Sequence, residues 1–122
     1  MNIELKLREI FRKSEEVFSQ DDSRGNQDLV PFCNQILELY NNTDQKGVFE
    51  DIFIDDFDNQ KECTWELAQL CMYHLKLPAY KEHLLAKLLV AKQTNDWRAI
   101  PVISDILNAY EYPWPDIDLF YE

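Results

Sequence analysis

The sequence predicts an all-α domain of about six helices in sequential antiparallel hairpins. Three observations predict it. Apolar residues recur at i, i+4 and i+7 in most long segments, with charged residues between them. Turn formers separate those segments at intervals suited to helices rather than strands. Glycine occurs only 2 times in 122 residues, at Gly25 and Gly47, too rarely for a family of tight β-hairpins.

The elements follow in order. Residues 3–20 place Ile3, Leu7, Ile10, Ser14, Val17 and Phe18 on one helical face. Residues 20–26 are built of turn formers. Asp28 is placed to cap a second helix, with Pro31 in the first turn, where backbone N–H groups lack intrahelical partners. Its apolar side is Phe32, Cys33, Ile36, Leu37 and Tyr40, and the polar run 41–47 ends it. Val48, Phe49, Ile52, Phe53 and Phe57 suit a short third helix. Ile54 lies off that face, so residues 48–58 also admit a strand.

Thr64 has the character of an N-cap, with Glu66 in the favourable first turn of a fourth helix lined by Trp65, Ala68, Cys71, Met72 and Leu75. Pro78 ends that helix and opens the fifth, where Tyr80, Leu84, Leu88 and Ala91 share a face. After a break at Thr94 and Asn95, Asp96 is placed to cap a sixth helix carrying Ile100, Ile103, Leu107 and Tyr110. The tail, residues 110–122, holds Pro113 and Pro115 among aromatic and acidic residues, and reads as a rigid, extended segment of the same single domain.

Two of these helices share a pattern. Residues 28–40 and 98–110 align Pro31 with Pro101, Ile36-Leu37 with Ile106-Leu107, and Tyr40 with Tyr110. Their offset is twice about 35 residues, a period found in stacked helical hairpins. Two readings stand: three repeated hairpins in a short stack, or two amphipathic helices alike by chance. The run Arg98-Ala99-Ile100-Pro101 resembles the start of HEAT-repeat helices. That resemblance implies a short HEAT-like, right-handed stack or a generic helical stack, architectures whose usual work is binding.

The composition points away from several function classes. A net charge of −11 opposes binding to nucleic acid or to an anionic membrane. The three cysteines, Cys33, Cys63 and Cys71, are odd in number and do not form a disulfide framework. Residues 1–6 are already amphipathic, without an apolar export segment, so a reducing cytoplasm is the expected compartment. The two glycines cannot supply a phosphate-cradling loop, and no serine or cysteine stands in a nucleophile motif. Cys71 and His74 share a helix face, and Cys63 and His83 flank them, but the spacing is not that of a zinc site. No cofactor, no metal and no enzymatic activity are expected.

Charge and aromatic residues instead point to a protein partner. Glu50, Asp51, Asp55, Asp56 and Asp58 form one acidic cluster, interleaved with Phe49, Phe53 and Phe57 and with no base in residues 47–60. A second follows Arg98, where no base occurs: Asp116 and Asp118 lie among Tyr112, Trp114, Phe120 and Tyr121. A basic partner would relieve the self-repulsion of such clusters and be steered to them, and exposed aromatics would anchor it. The candidate partner-binding residues are therefore Glu50, Asp51, Asp55, Asp56, Asp58, Tyr112, Trp114, Asp116 and Asp118. The lysines and arginines of the first and fifth helices read as ordinary solvated faces.

A small, acidic, helical chain without a catalytic constellation resembles the immunity proteins of bacterial toxin systems, such as contact-dependent growth inhibition. The resemblance implies tight, electrostatically steered occlusion of a cognate basic toxin domain, with Asp55, Asp56 and Asp58, or Trp114, Asp116 and Asp118, standing in for nucleic-acid phosphates; the chain itself is expected to be a monomer or weak dimer. The alternative is a helical-repeat adaptor that binds through a groove lined by apolar and aromatic residues, where charge matters less.

Overall fold

The computed structural model describes residues 2–20, 25–111 and 113–121. Among them are six α-helices and no strand: α1 Ile3–Phe18, α2 Val30–Asn41, α3 Lys46–Asp55, α4 Trp65–Leu75, α5 Pro78–Gln93 and α6 Ala99–Asn108. No helix of the described residues is long and apolar enough to cross a membrane.

The chain alternates between two layers. In one, α3 packs between α1 and α5; in the other, α4 packs between α2 and α6. The first layer is joined by an aromatic row, Phe11–Phe53–Tyr80, with ring centroids 5.1 Å and 5.7 Å apart. The second is joined by Cys33 against Cys71, with sulfurs 3.9 Å apart, and by the buried Gln69, whose amide donates to the Asp105 carbonyl at 2.7 Å. Contacts of α1 with α2 and of α5 with α6 close the layers onto one core. Across the second of these, the Tyr110 hydroxyl donates to the Leu77 carbonyl at 2.9 Å.

The local chemistry explains the helix ends. Asn2 caps α1 by accepting from the Leu5 amide at 3.0 Å, and Thr64 caps α4 by accepting from the Leu67 amide at 3.3 Å. Pro78 opens α5 at a position that needs no amide hydrogen. Asp96 accepts from the amides of Arg98 and Ala99 at the start of α6. Lys61 and Lys76, not glycine, take the left-handed conformation, with φ of 54° and 47°. Lys76 is held there by its ammonium, which reaches the Ala109 carbonyl at 3.4 Å and lies over the Tyr73 ring.

Several sequence expectations change in detail. α1 ends at Phe18 rather than at residue 20, and its buried face includes Phe11 beside Leu7 and Ser14, with Ile10 only half-buried. Asp28 does not cap α2. Residues 25–29 wind as a 3-10 turn that carries Leu29 into the core, so Leu29 precedes the helix and Asp28 lies within the turn. Residues 48–58 are helical throughout, because α3 continues into a π turn, Asp56–Gln60, closed by the Lys61 amide on the Asp56 carbonyl at 2.7 Å. The tail is not extended: Pro115–Leu119 forms a 3-10 turn, since proline at the first position of a turn gives up no hydrogen bond.

The shared pattern of residues 28–40 and 98–110 has a structural counterpart. Cys33 and Ile36 are the buried pair of α2, and Ile103 and Ile106 are the buried pair of α6, in the same register from Pro31 and Pro101. Both helices pack on α4, one on each side.

Candidate functional site

The first acidic cluster is engaged with the fold. Asp55, at the end of α3, accepts from Arg8 of α1 at 2.7 Å and from Asn59 at 2.7 Å. The Asn59 amide and the Arg8 guanidinium hold its carboxyl below the ordinary carboxylate range. Asp56 is buried, and its two oxygens accept from the amides of Glu62 at 3.0 Å and Cys63 at 2.9 Å. Burial pushes its carboxyl up, by more than those amides draw it down. Asp58 lies 2.9 Å from His83 and 3.5 Å from Lys87, both on α5. Glu50 accepts from the Ala79 amide at the start of α5, where the helix has an unsatisfied donor. Of the five acids, only Asp51 is both exposed and without a partner among the described residues.

The tail divides differently. Trp114 is buried against Tyr73 and Phe120, with ring centroids 5.2 Å and 5.8 Å away. It therefore covers α4 and is not presented as an anchor. Asp116 and Asp118 are exposed on the 3-10 turn, beside exposed Leu119 and Tyr121. Tyr112 lies outside the described residues.

A feature that sequence reading missed lies where the layers part. A groove of about 740 Å³ runs between the π turn, the start of α4, the end of α5 and α6. Its floor is apolar: Phe53, Ala68, Tyr80, Ala91, Ile103 and Ile106 are all buried core residues. Val90 (54% exposed) and Trp65 (37% exposed) stand on its walls. Around the rim, Asp58, Glu66 and Asp96 are matched by Lys61, Lys87 and Arg98. Burial pushes the Glu66 carboxyl up and the Cys63 thiol well up. An apolar floor with a charge-balanced rim suits an apolar side chain or the greasy face of a helix.

The sequence signal for this groove was thin. Val90 follows two leucines and reads as one more helical residue, and the spacing of Trp65 with Ala68 and Met72 places it on the apolar side of α4. Among the described residues, no group of three or more His, Cys, Asp or Glu side chains is placed to hold a metal ion. Comparison of the chain with family models, with curated proteins and with solved structures finds no match.

Proposed function

We propose that the chain works as a protein-binding module, and that its groove receives an apolar segment of the partner. The observation that carries this is the groove between α4, α5 and α6, where the exposed apolar side chains of Val90 and Trp65 stand over a floor of core residues. Lys61, Lys87 and Arg98 line the groove together with Asp58, Glu66 and Asp96, so the field of a −11 chain is offset there and affinity comes from apolar contact. This favours the adaptor reading.

A second reading, inhibition of a basic toxin domain in the manner of immunity proteins, draws on a different observation. Asp116 and Asp118 are exposed, with exposed Leu119 and Tyr121 beside them and a strongly negative chain behind. Such a surface attracts a basic partner at long range.

The test is photo-crosslinking from position 90, followed by calorimetry with the captured partner at low and high salt. The adaptor reading expects Val90→Glu to weaken binding about tenfold or more, with little salt dependence. The inhibitor reading expects steep salt dependence and loss of affinity in Asp116→Lys/Asp118→Lys. Full binding by Val90→Glu would remove the groove from the site.

A further inference from the structure

The fifth helix carries a surface that neither proposed site uses. Glu82, Leu85, Leu89 and Lys92 follow one another at spacings of three, four and three residues, which places them along one line of α5. All four are exposed. Leu85 is 48% and Leu89 59% accessible, whereas Leu84, on the opposite side of the helix, is fully buried. Neither Glu82 nor Lys92 is paired with another described residue. Two adjacent leucines in open water, flanked by one free acid and one free base, are costly to leave uncovered.

The order of these residues names the occupant. The point midway between Leu85 and Leu89 is also midway between Glu82 and Lys92. When two copies of α5 cross antiparallel about a two-fold axis at that point, Leu85 of each lies against Leu89 of the other. The same operation sets Glu82 of each against Lys92 of the other, so every contact occurs twice and every charge is matched. Such self-complementarity is the condition for a closed two-fold interface.

We propose that the chain forms a symmetric dimer through an antiparallel α5–α5 contact built on Glu82, Leu85, Leu89 and Lys92. None of these four residues lines the groove or belongs to the tail, so the contact operates whichever reading of the partner site holds.

Sedimentation equilibrium of the full chain tests it, with circular dichroism to verify that each variant is folded. The wild type is expected to dimerise in the upper micromolar range. Leu89→Lys is expected to weaken the dimer about a hundredfold, because each dimer loses two leucine contacts. Glu82→Lys is expected to weaken it about fivefold, through two like-charge contacts, and Glu82→Lys/Lys92→Glu is expected to restore it. A chain that stays monomeric at about 1 mM overturns the proposal. So does a dimer indifferent to Leu89→Lys, or a charge swap that fails to recover association. If Leu89→Lys instead abolishes capture of a different protein and leaves self-association unchanged, the stripe belongs to that protein and the proposal falls.

Discussion

Asp56→Ala is the substitution that most directly probes how this fold is held between its third and fourth helices. The carboxylate bridges the π turn to the approach of α4 by accepting from the Glu62 and Cys63 amides at 3.0 Å and 2.9 Å. Alanine removes both acceptors and leaves two part-buried N–H groups without their partner. Each stranded amide costs about 1–3 kcal/mol, and relief from burying a carboxylate offsets part of the total, so a net loss of about 3 kcal/mol is expected. In a domain of 122 residues that corresponds to about 10 °C in Tm. Asp56→Asn keeps one acceptor oxygen and should lose less. Urea unfolding followed by far-ultraviolet circular dichroism reads both. A change below about 0.5 kcal/mol for Asp56→Ala would refute the reasoning, because it would mean that the two amides find water or another acceptor at no cost.

The pH dependence adds a sharper criterion. Burial raises the folded-state pKa of Asp56 above its value in the unfolded chain. The stabilisation from its proton is complete below the unfolded value and is lost as pH rises through the folded one. The deficit of Asp56→Ala should therefore widen as pH is lowered from neutrality into mild acid.

Two further outcomes are expected. Asp55→Asn should show the opposite trend: the native carboxyl is held low by Asn59 and Arg8, so its contribution is present above the unfolded pKa and lost as pH falls through the folded one, and wild type and variant should converge in acid unfolding curves. Tyr110→Phe removes the hydroxyl that donates to Leu77 at 2.9 Å, and should cost about 1 kcal/mol in urea unfolding while leaving the helix content unchanged.

Local chemistry made most of the fold legible. Thr64, Pro78 and the pattern Tyr80, Leu84, Leu88, Ala91 each act within a turn or two of their own position, and each was readable from neighbours in sequence. The acidic cluster was not, because the groups that engage it come from elsewhere: Arg8 is 47 residues from Asp55, and His83 is 25 residues from Asp58. A charge count over a short window sees the acids and misses their partners. Trp114 misled for a related reason. In a tail rich in proline it looks presented, yet the 3-10 turn brings Phe120 back onto it while Trp114 closes over Tyr73 of α4. The groove was invisible because its floor consists of ordinary core residues. Only the gap between helices distinguishes them.

The placement of α2 and α6 on either side of α4 bears on how the chain reaches its native state. Cys33 meets Cys71 across 38 positions of chain, and Gln69 meets Asp105 across 36. The entropy of closing either loop is therefore nearly the same, and the two docking helices offer the same buried register. On loop entropy alone neither half holds a head start, so the docking of α2 and that of α6 on α4 are expected to cost about the same.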